Sequence, residues 1–464
     1  MADMLWTSDE IAMATEGTVS LPFAVSGVSI DTRTVEPGDL FIALAGVRDG
    51  HEFVAQALAK GAVGALVSRV TAGPCIQVAD TFLALEALGI AARHRAIHAR
   101  RGAITGSVGK TSVTQAVAAG LKRAGTSHAS IKSYNNHIGV PLTLARMPAD
   151  TQRAVFEIGM NHADEITPLS RMVAPHGVAI TTVGPVHTEN FPDGEAGVAR
   201  AKAEVFAGLE PGGIAILNAD NRWFEYLSRE AKAVGATIRS FGASSACDAR
   251  LLDFQVDRGT AMVSARLAGR DLRFPILQTG FHWGPNSMAV LLMLEALGVS
   301  LEDGQATLAD FAPLEGRGAE YPVKLADGEF TLIDESYNAN PISMAATFAS
   351  LGARQTTGRR IVALTDMLEL GPEERGFHAA LAEPLADAKI DLVFCAGPLM
   401  KSLWEALPST RRGGYAESAV ELAPRLARAV EPGDLVMVKG SNGSKAGAVV
   451  TALKALDVRS AGGR

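Results

Sequence analysis

The segment TGSVGKTS, Thr105 to Ser112, sets two glycines ahead of Lys110 and Thr111, between an apolar run and a stretch with helical spacing. In that setting successive backbone N–H groups and the positive end of a helix converge on one point, which suits a phosphate. Lys110 would meet the β- and γ-phosphates, and Thr111 a Mg²⁺ ion. The full Walker spacing asks for glycine where this chain has Ile104. The reading therefore rests on strand, loop, Lys-Thr pair and helix agreeing.

Glu157 ends the apolar run RAVFEIG, and His187 follows GVAITTVG. Both would emerge at the carboxyl ends of parallel strands, the edge where open α/β sheets hold ligands, and could converge on a cation there. Lys202, in AGVARAKAEVFAGL, reads from spacing as an ordinary solvated helix lysine. Asp334 ends the strand FTLIDES before the turn-rich YNANP, where it would hold ribose hydroxyls or cap a helix. Arg317, in LEGRGAEY, would reach a phosphate across a cleft or form an interdomain salt bridge. Asn340 and Pro341 also fit a helix cap and first helical position.

The elements that must position these groups follow from periodicity. Residues 1–98 mix alternating segments such as VSIDTRTVEPGDLFIAL with a helix-to-strand pattern, HEFVAQALAKGAVGALV, and a second helical stretch, FLALEALGIAARHRAI, which predicts a small α/β domain. Residues 99–312 alternate apolar runs with helical stretches, the pattern of a doubly wound parallel sheet carrying the phosphate loop. Within them DFQVDRGTAMVSARLAGRDLRFPIL alternates with turn residues between runs, predicting an antiparallel meander, and GPNSMAVLLMLEALG predicts a closing helix. Residues 313–464 form a second α/β series, with strands in FTLIDES, RRIVALTD, DLVFCAG and GDLVMVKG and helices near 342–353, 373–388, 398–407, 417–429 and 445–456. This predicts a Rossmann-like domain without a GxGxxG opening, and a frayed tail at RSAGGR.

With 464 residues and 47% hydrophobic side chains, the chain can fill several cores, which excludes wholesale disorder. A net charge of −7 gives no general footprint for nucleic acid or anionic lipid, so any phosphate is bound locally. Cys75, Cys247 and Cys395 form no CxxC pair, which argues against a disulfide framework or a zinc site. The N-terminus lacks the basic start and apolar run of a signal peptide, and no apolar stretch is long enough to cross a membrane. A cytoplasmic protein is expected.

Taken in order, DTRTVEPGDLFIALAGVRDGHEF, TGSVGKTS, NNHIGVPLTL, FEIGMNHADEI, VGPVHTENF, ARAKAEVF, IDESYNANPISM and LTDMLELG resemble the Mur ligase family across all three domains. Within the family, NNHIGVPLTL, DESYNANP and DMLELG are similar to the member that adds a dipeptide, and the DNPR segment of the diaminopimelate- or lysine-adding members is not found. The resemblance implies an ATP-dependent ligase that joins D-alanyl-D-alanine to UDP-N-acetylmuramoyl-tripeptide through an acyl phosphate. A monomer is expected, with no nucleic-acid partner.

By the same resemblance Gly106, Ser107, Val108, Gly109, Lys110, Thr111 and Ser112 bind ATP, together with Asn286, Arg317 and Asp334. Thr111 and Glu157 would hold one Mg²⁺, and His187 and a carbamylated Lys202 a second, which reverses the solvated reading of Lys202. The family's N-terminal domain binds the uridine-diphosphate part, making Asp31, Arg33 and His51 candidates, while Asn338 and Asn340 are candidates for the dipeptide. Two other readings stand beside this one: a related amide ligase with an amino acid or glutamate acceptor, and a nucleotide switch that hydrolyses ATP without ligating.

Overall fold

The computed structural model describes residues 4–458 except 47, 132, 187 and 258. His187 and the tail residues 459–464 therefore lie outside the described residues. Among those described, three sheets of five or more strands follow one another along the chain. None of the described helices is long and apolar enough to cross a membrane.

The first sheet runs, edge to edge, Thr18–Val19, Cys75–Gln77, Gly64–Val67, Asp39–Ile42 and Gly27–Ser29, with only its first pair antiparallel. Helix Thr81–Arg95 starts where Asp80 accepts from the Phe82 and Leu83 amides, satisfying donors a helix start otherwise leaves free. This unit is fastened to the following one. Leu142 and Ala145, on the helix Gly139–Ala145, are buried in its core, and Trp6 Nε1 donates to the Ala145 carbonyl at 2.8 Å.

The second sheet has nine strands. Arg100–Thr105 lies inside it between Arg153–Glu157 and Gly177–Ile180, all three parallel. Helix Lys110–Ala124 returns over this sheet against the almost wholly buried helix Trp283–Ala296. Burying an apolar side chain such as Leu291 or Leu294 stabilises by about 1.5–3 kcal/mol each. The alternating segment forms Ala249–Asp257, Thr260–Leu267 and Arg270–Ile276, an antiparallel meander on the edge of this sheet.

The third sheet orders Ala319–Leu325, Gly328–Glu335, Leu435–Lys439, Arg360–Thr365, Leu392–Ala396 and Arg412–Ala416, parallel except for the first pair. The edge strands 319–325 and 412–416 are additional to the sequence reading. The single helix expected near 373–388 is instead two short helices, Glu374–Ala380 and Ala382–Asp387. Each parallel sheet has its strand ends on one edge, and those of the second and third sheets meet across a cavity of about 670 Å³.

Candidate active site

The phosphate loop is shaped by backbone that only glycine tolerates well. Gly106 has φ +144° and Gly109 φ +88°, and a Cβ on Gly106 would collide with the Thr181 hydroxyl. That hydroxyl donates to the Val108 carbonyl at 2.5 Å, while Gly184 N–H donates to Ser107 Oγ at 3.0 Å, so the ends of neighbouring strands fix the loop. Helix Lys110–Ala124 begins directly after Gly109 with no side-chain cap, leaving its first N–H groups available to an anion.

Lys110 folds back onto its own loop, with Nζ donating to the Gly106 carbonyl at 2.7 Å. Its pKa is lowered by burial and by Arg317, with Glu157 opposing. Asn286, on helix Trp283–Ala296, packs beside Gly109 and lines the same cavity.

Glu157 sits at the end of its strand, only 1% exposed. Ser130 Oγ accepts from its backbone N–H, and Asn135 Nδ2 donates to its Oε1 at 2.6 Å. Its other oxygen, Oε2, is buried with no hydrogen-bond partner. A buried carboxylate oxygen left unmatched is costly, and a hard cation is the group that suits it. The Thr111 hydroxyl supplies a second oxygen donor and accepts from Arg317 Nη2 at 3.1 Å. These two oxygens fit magnesium chemistry.

Lys202 is equally buried, on helix Glu195–Ala203, and is not among the residues lining the cavity. Burial holds its pKa well below the ordinary lysine range, and Lys110 pushes the same way against Glu204, Glu157 and Glu165. The solvated-helix reading drawn from spacing is corrected: the amine is packed inside the domain.

Arg317 crosses from the third unit to the phosphate loop. Besides its bond to Thr111, its guanidinium lies 4.0 Å from the centre of the Tyr337 ring, and Tyr337 hydroxyl meets Ser133 Oγ at 2.5 Å. The contacts that cross between the units here are thus the hydrogen bonds Arg317–Thr111 and Tyr337–Ser133 rather than a salt bridge, with the Tyr337 ring steadying the guanidinium from within the third unit. Asp334 has both oxygens engaged locally: Oδ2 by Gly316 N–H at 3.2 Å, Oδ1 by Ser336 N–H and Oγ at 3.1 and 2.6 Å. It is off the cavity lining and holds the turn that carries Arg317.

Asn340 caps helix Pro341–Gly352 through a reciprocal box with Ser343, and Pro341 takes the first turn, as the alternative reading of YNANP expected. Both Asn338 and Asn340 also line the cavity. Asp31 and Arg33 pair with each other at 2.6 Å near the surface, and His51 is locked between Asp49 at 2.7 Å and the Ser68 amide at 2.9 Å. None of these three lines the cavity. Asn135, Tyr337, Glu335 and Lys439 were not singled out from sequence although all four line it. Each lay inside a quoted segment, Asn135 in NNHIGVPLTL, Glu335 and Tyr337 in DESYNANP and Lys439 in GDLVMVKG, and those segments were the available signal.

Comparison with known proteins covers nearly the whole chain. Models described as the Mur ligase family catalytic domain, the Mur ligase middle domain and the Mur ligase glutamate ligase domain match residues 24–96, 104–294 and 322–442. The UDP-N-acetylmuramoyl-tripeptide–D-alanyl-D-alanine ligase of Escherichia coli (strain K12) is 34% identical, covering 93% of this chain and 94% of its own. The protein of the same name from Rickettsia prowazekii (strain Madrid E) is 31% identical over 96% and 99%. A crystal structure of MurF from Acinetobacter baumannii superposes with a TM-score of 0.86 at 28% identity, covering 98% of this chain and 100% of that one.

Proposed function

The chain belongs to the Mur ligase family, and from that premise we propose that it uses ATP to join D-alanyl-D-alanine to UDP-N-acetylmuramoyl-tripeptide. One observation carries this reading. The phosphate loop, Glu157 and the ends of the third sheet's strands line a single cavity, in a chain whose full-length relatives are named for this reaction.

The loop amides and the start of helix Lys110–Ala124 receive the phosphates, and Lys110 exchanges the Gly106 carbonyl for the β- and γ-phosphate oxygens. Arg317 leaves Thr111 and turns toward the nucleotide, carried by the turn that Asp334 fixes. Asn286 packs against the loop on its other side. Magnesium held by Thr111 and Glu157 would neutralise phosphate charge, and His187 with a carbamylated Lys202 would support a second ion. The depressed pKa of Lys202 favours the neutral amine that carbamylation requires.

The tripeptide carboxylate then attacks the γ-phosphorus, ADP leaves, and a mixed anhydride of carboxylate and phosphate forms. The dipeptide amine attacks its acyl carbon, loses a proton and expels inorganic phosphate, leaving the pentapeptide precursor. The second and third units both line the cavity, and their further closure over bound substrates would keep water from the activated acyl group. The uridine-diphosphate part is assigned to the first unit, with Asp31, Arg33 and His51 the candidate contacts. Asn338 and Asn340 are assigned to the acceptor side.

Mass spectrometry of products from ATP, the UDP-muramoyl tripeptide and a panel of acceptors tests the proposal. The dipeptide should greatly outperform D-alanine, meso-diaminopimelate, L-lysine and glutamate. Equal use of a single amino acid would overturn the acceptor assignment, and phosphate release independent of any acceptor would favour a nucleotide switch.

A further inference from the structure

Lys439 has no role in the phosphate chemistry above. It ends strand Leu435–Lys439 of the third sheet, is 2% exposed, and lines the same cavity as the phosphate loop. Its Nζ donates to the Asn338 carbonyl at 3.1 Å, and Glu335, its register partner on the adjoining strand, stands 3.5 Å away. An ammonium carries three donors, and here one good bond and one long one engage them. A cation buried this deeply is expensive unless an anion completes its shell.

The acceptor dipeptide offers such an anion. Its amine must reach the acyl carbon near Glu157 and Lys110, while its carboxylate lies about 7 Å further on, two extended residues away. Lys110 and Arg317 are assigned to the phosphates, which leaves Lys439 as the remaining lysine or arginine among the described residues that line the cavity. The neighbouring Glu335 carboxylate disfavours a polyphosphate there far more than a single carboxylate. Burial and Arg317 both lower the pKa of Lys439, and Glu335 offsets them.

We propose that Lys439 binds the carboxylate of the acceptor dipeptide and thereby sets its selectivity, with Glu335 orienting the ammonium before the acceptor arrives. The proposal rests on the acceptor assigned in the preceding subsection.

Steady-state kinetics with D-alanyl-D-alanine and the uncharged D-alanyl-D-alaninamide test it on the wild type, Lys439→Gln and Glu335→Gln. The wild type should prefer the acid about 10- to 100-fold in kcat/KM, the range of one charge-assisted hydrogen bond. Lys439→Gln should lose that preference through a raised KM for the dipeptide, with KM for ATP unchanged, whereas Glu335→Gln should keep it. Equal use of acid and amide by the wild type would overturn the proposal even if Lys439→Gln did not fold. So would a preference surviving in Lys439→Gln, or a KM for ATP that rises as far as that for the dipeptide. No ligation of either acceptor by the wild type would instead refute the acceptor assignment itself.

Discussion

Replacing Lys110 by methionine separates its proposed catalytic role from its structural one. The side chain keeps its length and loses its charge together with the 2.7 Å bond to the Gly106 carbonyl. Losing one charge-assisted hydrogen bond costs about 1.5–3 kcal/mol. Against this, the variant no longer desolvates an ammonium whose pKa is already lowered by burial and by Arg317, a penalty of several kcal/mol in its own right. The two contributions oppose each other, so the folded state should lose no more than about 1 kcal/mol, a change within the ordinary range of point substitutions. Catalysis has no such offset. In the proposed reaction the ammonium is the loop's own side-chain cation for the phosphates, and removing one preorganised electrostatic contact costs about 10²–10³ in turnover, roughly 2.7–4 kcal/mol. Phosphate release at saturating ATP, tripeptide and dipeptide measures the loss, and urea denaturation measures the stability. A folded Lys110→Met enzyme that turns over within an order of magnitude of the wild type would refute the phosphate-loop reasoning.

Other expectations follow from neighbouring groups. Lys202→Ala should be nearly inactive and partly rescued by short-chain carboxylates; activity intact under CO₂ depletion would return Lys202 to a packing role. Asn340→Ala removes the reciprocal cap of helix Pro341–Gly352 and should destabilise by about 0.5–2 kcal/mol in denaturant titration. His128 bonds the Thr143 carbonyl at 2.7 Å, and burial pushes its pKa down to about 4. The unfolded chain takes up that proton first, near an ordinary pKa of about 6.5, so this contribution to stability is complete above that pH and is lost as pH falls toward 4. His128→Asn should flatten the acid-side decline in stability, and an unchanged pH profile would contradict the assignment.

The features legible from sequence are those whose cause is local. Gly106 and Gly109 announce a loop because their backbone is left-handed, and Asn340-Pro341 announces a helix start because cap and first turn are chemically distinct. The meander showed itself through alternation in its second and third strands, Thr260–Leu267 and Arg270–Ile276, while the first is interrupted by an irregularity between Leu251 and Asp253. What depends on distant strands was not visible. Lys439 reads as a strand-terminal lysine until Glu335 arrives beside it from a strand about a hundred residues earlier, through register alone. The bond from Asn135 to Glu157 likewise joins segments that the sheet order brings together. Asp334 shows the reverse difficulty: an acid at a strand end suits ribose and turn equally, and only its bonds to Gly316 and Ser336 show which contacts it makes. Lys202 looked solvated because helical spacing does not reveal which face is covered.

In the proposed reaction the tripeptide carboxylate is activated by phosphorylation before the dipeptide attacks it, and oxygen-18 placed in that carboxylate follows the bond this activation forms. Attack on the γ-phosphorus makes one labelled oxygen the bridge of the mixed anhydride, and aminolysis then releases it with phosphate. Mass spectrometry of the phosphate formed with ATP and D-alanyl-D-alanine should find one labelled oxygen for each pentapeptide produced. Pentapeptide accompanied by unlabelled phosphate would contradict the account.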